Sequence, residues 1–180
     1  VMQYILSIFP KAGIKYFTDT GPVIEKKWAV EAGLGQIGKN SLFIHPTYGS
    51  YCFISVFITD VELEYDTPYT KNLCVACNKC MLACPTGAIE FPYQINAVKC
   101  ISYNTIELKQ EVSDEIKRNI TNQIYGCDIC QDVCPYNKKP ISTNISDFDA
   151  HPMLFEISKE QWSSLTEEQF NVIFAGTPIE

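Results

Sequence analysis

No apolar run in this chain of 180 residues reaches the roughly 18 residues of a membrane span; the best candidate, residues 51–58, has the length of a strand. The first residues offer neither a basic region nor a long apolar core, so no secretory leader is expected. Arginine is almost absent. Arg118 stands alone beside thirteen lysines, and the 21 acids leave a formal net charge of -7. Net charge therefore does not advertise a nucleic-acid groove. Histidine is scarce too: His45 and His151 are each followed by proline, neither has a second histidine at metal spacing, and both are expected in loops. With 46% hydrophobic, 12% aromatic and 19% charged residues, the composition excludes a disordered chain and a coiled coil.

Cysteine is what the chain does have. There are nine, an odd number, and eight lie between Cys74 and Cys134. Seven of those form two tight runs, Cys74-x2-Cys77-x2-Cys80-x3-Cys84-Pro85 and Cys127-x2-Cys130-x3-Cys134-Pro135. Thiolates at such spacing sit on one turning backbone and face a common centre, which fits bound iron better than cross-linking. The first run has the spacing of bacterial two-cluster ferredoxins, in which the fourth cysteine serves the other cluster. The second run has Ile124 where the repeat would place a cysteine. Two cubanes need eight thiolates, and Cys100 is the only other cysteine in the region. The count closes with Cys74, Cys77, Cys80 and Cys134 on one 4Fe–4S cluster. Cys84, Cys100, Cys127 and Cys130 then hold the second, and Cys52 is left as a small buried hydrophobe. Two four-cysteine zinc sites would also consume eight.

Along the chain, residues 4–9 read as a short strand or the end of an element. The Thr18-Asp19-Thr20-Gly21-Pro22 stretch is a turn whose proline opens a helix over 23–31. Residues 51–64 read as a long strand or a strand pair. Ile116, Ile120 and Ile124 recur every four residues and predict an amphipathic helix over 113–124. Residues 155–174 hold one or two helices, with a start near Thr166-Glu167-Glu168. Tyr103, Tyr125 and Tyr136, close in sequence to the cysteines, are expected to shield sulfur from water.

Gly33-Leu34-Gly35-Gln36-Ile37-Gly38 matches the dinucleotide fingerprint as a string. That reading requires a strand before and a helix after. The preceding segment is instead helix-like and charged. What remains is a tight turn packed on another segment, or close backbone approach to some other cofactor. Lys39 follows as a point charge available to a phosphate or carboxylate.

The collinear set of the Tyr16–Val23 stretch, the Ala32–Asn40 stretch, Gly49-Ser50-Tyr51, both cysteine runs, Cys100-Ile101-Ser102-Tyr103-Asn104 and Ile124-Tyr125-Gly126-Cys127 resembles the epoxyqueuosine reductase family. The likeness implies a cobalamin and two 4Fe–4S clusters, the eight cysteine ligands counted above, and reduction of epoxyqueuosine in tRNA to queuosine. It implies a catalytic role for Asp19, which by its own residues reads equally as a turn cap. It also puts Gly33, Gly35, Gly38 and Lys39 near cobalamin. Family members carry a substantial domain before the Asp-Thr-Gly-Pro element, so the chain reads as a fragment. The expected fold is α+β, a two-cluster ferredoxin-like core with part of a cobalamin-dependent reductase domain. Residues 1–66 are the partial reductase region, 67–140 the double-cluster domain and 141–180 a helical extension.

The partners implied are tRNA and an electron donor such as ferredoxin or flavodoxin, with no membrane, for a monomer in the cytoplasm. Lys11, Lys15, Lys26, Lys27 and Lys39, with Lys138 and Lys139, would form the local basic surface that a phosphate-rich partner needs. A stand-alone ferredoxin-like carrier is the competing reading, and a cobalamin-dependent reductase of a small molecule is another. The acid-and-glycine stretch from Asp19 to Ser50 argues against a simple carrier.

Overall fold

The structure, a computed structural model, describes residues 1–120, 122–150 and 152–176. It separates into two compact units, Val1–Pro140 and Ile141–Glu180. The first unit has the mixed helix and strand architecture expected from the sequence. It opens with helix α1 (Met2–Ile8), where the sequence suggested a short strand or the end of an element. Met, Gln and Leu favour a helix, and residues 4–9 have no strand to pair with. Strand β1 (Ile14–Phe17) runs antiparallel to β4 (Val56–Thr59), with Ile14 opposite Thr59 and Phe17 opposite Val56. Tyr16 stacks on Phe57 across the pair, at 5.9 Å between ring centroids.

Helix α2 (Glu25–Glu31) begins later than the proline signal suggested. The Asp19 amide donates to the Glu25 carboxylate at 3.0 Å, and Ile24 keeps a non-helical ψ of 84°, so the first turn starts at Glu25. Strands β2 (Gln36–Ile37) and β3 (Phe43–Ile44) form a small hairpin. Its tip, residues 38–42, is closed by the Gly38 amide on the Leu42 carbonyl and the Ser41 amide on the Gly38 carbonyl, each 2.8 Å. Strand β4 is much shorter than the 51–64 reading. Its partner β1 offers only four residues, and residues 50 and 51 spend their hydrogen bonds on the cysteine-rich segment instead. Cys52, expected buried in that strand, is exposed.

The cysteine-rich segment is built of short helices: α3 (Lys79–Ala83), α4 (Ile101–Ile106), α5 (Asp114–Asn119) and α6 (Ile129–Asp132). Helix α3 packs on α6, so the two cysteine runs face each other. In α5, Ser113 caps the first turn by accepting the Ile116 amide, and Ile116 is buried. The helix stops at Asn119, short of the predicted Ile124, because the backbone turns extended at Ile120. Ile124 itself is exposed. The buried apolar set of this unit is small, chiefly Ala29, Phe43, Ile44, Ala88, Ile89, Ile101 and Ile116. A core that thin benefits from a staple beyond apolar burial.

The second unit contains α7 (Met153–Glu156), α8 (Lys159–Ser163) and α9 (Glu167–Phe174). The expected start at Thr166 is present. Thr166 and Gln169 form a reciprocal capping box, as do Ser158 and Gln161 on α8. Phe174 is buried under Trp162 and Phe170.

Candidate metal centre

Four cysteines from two distant stretches, Cys74, Cys77, Cys80 and Cys134, line one pocket with Lys39, Asn40 and Tyr136. Besides burial, charge on Cys74 and Cys77 disfavours the thiolates of Cys80 and Cys134, as neighbours around one space must. A second group forms the same way. The Cys127 thiolate is opposed by burial and then by Cys100 and Cys84, and that of Cys130 by burial and then by Cys127, Cys80 and Cys100. The Cys80–Cys130 interaction links the two groups across the α3–α6 contact.

Burial pushes the Cys80, Cys127 and Cys134 thiols above their ordinary range, and Cys130 up to about 12. At Cys84 burial also raises, but hydrogen bonds from the Thr86 hydroxyl and the amides of Ala88, Thr86 and Ile89 outweigh it and the thiol is lowered. The Ala88 amide lies 3.3 Å from the Cys84 sulfur. Half-buried, mutually repelling thiolates are an unfavourable assembly without a cation among them, and ligation of iron removes that cost. Among the described residues no three histidine, cysteine or acidic side chains converge as ligands of a single ion would. Four cysteines at ferredoxin spacing around one pocket suit a 4Fe–4S cluster.

Local structure explains how each ligand candidate is aimed. Asn72 turns the first loop by accepting the Cys74 and Val75 amides at 2.9 and 3.0 Å. Val75 then adopts φ 24°, strained for a β-branched residue. Cys80 and Cys130 stand on α3 and α6. Cys100 sits at the cap of α4, where the buried Asn104 side chain binds the carbonyls of Val98 and Cys100, both at 2.8 Å. Cys100 thus comes to the Cys127 and Cys130 thiols from a separate element.

The glycine-rich segment serves the protein's own packing. A Cβ on Gly35 would lie 2.2 Å from the Ile44 carbonyl oxygen, and one on Gly38 2.5 Å from Ile44 Cδ1. Gly33 has φ +73°, with the Thr67 carbonyl 2.7 Å from the position of a Cβ. These close approaches build the β2–β3 hairpin, and residues of the chain itself fill the space the missing side chains leave. Lys39 at the hairpin tip is buried, and it does not stand free to meet a phosphate or carboxylate. Its ammonium donates to the carbonyls of Val75 and Cys77 and to Asn78 Oδ1, at 3.0, 2.9 and 2.8 Å. Its amide donates to the Cys74 sulfur at 3.4 Å. Three donors met by three acceptors make a buried cation tolerable. Sequence reasoning placed Lys39 in a surface basic patch; the signal for its real place is its position one residue after the last glycine of a hairpin.

A second set of contacts joins the hairpin region to the second cysteine run, and no motif announces it. Asn137 is buried and binds the Ser50 amide, the Ser50 hydroxyl and the Gln131 carbonyl, at 2.8, 2.8 and 2.9 Å. Tyr51 donates to the Asp132 carboxylate; burial and that carboxylate hold the phenol well above its usual range. Tyr136 is half-buried at the first pocket, whereas Tyr103 and Tyr125 are exposed. His45 is a loop residue whose Nδ1 accepts the Thr47 and Tyr48 amides; His151 lies outside the described residues.

Asp19 lies on the β1–α2 turn, exposed, at φ 57°. The turn is held without its carboxylate: Glu25 takes the Asp19 amide and Thr18 meets the Ser55 hydroxyl at 2.7 Å. Among the described residues nothing hydrogen-bonds the carboxylate, so the turn-cap role is not the one it plays.

Residues 73–137 match the family model of a 4Fe-4S double cluster binding domain. The chain is similar along its whole length to an epoxyqueuosine reductase of Cellulophaga algicola, 40% identical over 182 residues and covering 58% of that protein. It is 44% identical over 166 residues to that of Cyclobacterium marinum, covering 92% of this chain and 53% of the relative. The chain spans about half the length of the curated relatives it matches. Among solved structures, a selenomethionine-labelled epoxyqueuosine reductase superposes with a TM-score of 0.85 at 33% identity, over 95% of this chain and 45% of that one. An epoxyqueuosine reductase with an epoxyqueuosine-modified tRNA-Tyr stem loop superposes with a TM-score of 0.76 at 34% identity, over 98% and 50%.

Proposed function

We propose that this chain, a relative of the epoxyqueuosine reductases along its whole length, supplies the electron-carrying part of an enzyme that reduces epoxyqueuosine in tRNA to queuosine. The observation that carries the reading is the division of eight cysteines into two facing groups, one of them lining a single pocket. Cys74, Cys77, Cys80 and Cys134 hold one 4Fe–4S cluster, and Cys84, Cys100, Cys127 and Cys130 the other. Clusters in such proximity supply one-electron transfer. Reductive loss of an epoxide oxygen as water consumes two electrons and two protons, so two one-electron centres match the demand.

Asp19 is the residue proposed to deliver a proton. Its carboxylate is exposed, unengaged and carried on a turn that Glu25 and Ser55 hold from outside. That leaves it able to face a substrate oxygen. Cobalamin belongs to the reading through the family resemblance, and bound there it would supply the carbon-level reduction. The residues first expected to touch it do not fit that role. Ile44 fills the space beside Gly35 and Gly38, and Lys39 is spent on the cysteine loop.

Exposed Lys11, Lys15, Lys26 and Lys27, with Lys138 and Lys139, form the basic surface proposed for tRNA; buried Lys39 leaves that set. No helix among the described residues is long and apolar enough to cross a membrane. A monomer in the cytoplasm that draws electrons from ferredoxin or flavodoxin completes the proposal. The test is conversion of an epoxyqueuosine-containing tRNA by the intact, cluster- and cobalamin-loaded protein, beside its Asp19→Asn variant. Turnover by the former and its loss in the latter, with unchanged cofactor content, is the expected result. Turnover without any dependence on Asp19 contradicts the acid role. No turnover by the loaded protein moves the assignment to an electron carrier or a reductase of a small molecule.

A further inference from the structure

The β2–β3 hairpin delivers two consecutive side chains to the two cysteine groups. Lys39 reaches the first and Asn40 the second. Both are buried, Lys39 at 9% and Asn40 at 2% exposure. Every polar group of Lys39 is engaged: the ammonium on three acceptors of the 75–78 loop, the amide on the Cys74 sulfur, and the carbonyl under the Tyr93 amide at 3.0 Å. The positive charge is thereby fixed in the wall of the pocket that Cys74, Cys77, Cys80 and Cys134 line. Asn40 is neutral. Its Nδ2 donates to the Cys130 carbonyl at 3.4 Å.

We propose that Lys39 is a positioning residue that sets the order of reduction, making the cluster on Cys74, Cys77, Cys80 and Cys134 the first to accept an electron. The inference rests on the two-cluster reading above. A cubane held by four thiolates is anionic, and reduction adds a further negative charge. A buried cation at its edge favours the reduced state, and a donor to a ligand sulfur acts in the same direction. The other site also has donors on sulfur, at Cys84 from the Thr86 hydroxyl and the amides of Ala88, Thr86 and Ile89, but among the described residues it has no buried ammonium. Asp128 opposes charge on Cys127, and Asp132 follows in the same short helix. Lys99, next to Cys100, is half-exposed and paired with Glu90 at 2.8 Å, so its charge is offset. Lys79 lines the first pocket and adds to the asymmetry.

The experiment is a reductive titration of the intact, iron- and sulfide-loaded protein followed by electron paramagnetic resonance. Cys134→Ser assigns the signals, since it alters or removes only that of the first cluster. In the unaltered protein the signal sensitive to Cys134→Ser should appear first. Lys39→Met and Lys39→Gln should each lower that cluster's reduction equilibrium constant about tenfold or more, ~59 mV for one electron, and leave the other within about twofold. The proposal is overturned if the Cys84, Cys100, Cys127 and Cys130 cluster is reduced first, or if the neutral variants shift neither cluster or both equally. If neither neutral variant retains iron, the order in the unaltered protein decides alone. Iron and sulfide measured on the same samples separate the two claims: no clusters means that the reading beneath has failed, and clusters reduced in the wrong order means that this inference has.

Discussion

Replacing Gly49 with alanine should destabilise the first unit far more than the same change at Gly87. Both glycines have left-handed backbones, φ +72° and +61°, so both variants pay the conformational cost of about 1–2 kcal/mol. Around Gly87 an added Cβ meets nothing within 4 Å. At Gly49 it would lie 2.0 Å from Asn137 Oδ1 and 2.8 Å from the Tyr136 carbonyl oxygen. Asn137 is buried and carries three hydrogen bonds to Ser50 and Gln131, so it has no easy retreat. Overpacking costs about 1–3 kcal/mol, and each hydrogen bond lost as Asn137 moves costs about 0.5–1.5 kcal/mol. The excess at Gly49 is therefore about 2–4 kcal/mol, a large share of the 5–15 kcal/mol typical of a domain. The assay is the urea concentration at which cluster absorbance is lost anaerobically, read for the two variants side by side. Equal midpoints would refute the claim that the Gly49–Asn137 contact ties the hairpin region to the second cysteine run.

The remaining expectations are smaller. Cys52→Ser should leave iron content unchanged, because the thiol is exposed and belongs to neither cysteine group; loss of iron on analysis would count against the partition. Asn104→Ala removes both bonds that hold the Val98 and Cys100 carbonyls and should cost about 2–3 kcal/mol. It should also lower iron occupancy of the Cys84, Cys100, Cys127 and Cys130 site, read by metal analysis, and unchanged occupancy would show that Cys100 is aimed by something else. In the second unit, Thr166→Ala opens the capping box of α9 and should cost about 1 kcal/mol, measured by thermal unfolding of the intact protein.

The double-cluster domain was legible in the sequence because cluster ligands obey local spacing, and the family model over residues 73–137 covers both cysteine runs. The start at Thr166 was equally legible, since a capping box is written in four consecutive residues. What was not legible depended on partners far along the chain. The 51–64 strand reading failed because pairing ends where the four residues of β1 end, and β-propensity cannot report the length of a partner. The 113–124 helix followed isoleucine spacing past Asn119, although the backbone leaves helical geometry at Ile120. Lys39 looked like a surface charge because nothing nearby in sequence shows the three oxygens, 36 to 39 residues on, that enclose it. The glycine string was informative about close approach and misleading about what approaches: at Gly35 it is the Ile44 carbonyl. Asn137 carried no motif at all, and only the fold brings Ser50 to it.

The most direct test of the two-cluster account is the iron and acid-labile sulfide content of the intact protein after anaerobic reconstitution, with zinc measured on the same sample. About eight irons and about eight sulfides per chain are predicted, from two cubanes on four thiolates each. About four irons or fewer after full reconstitution, or about two zinc ions with no sulfide, would contradict it.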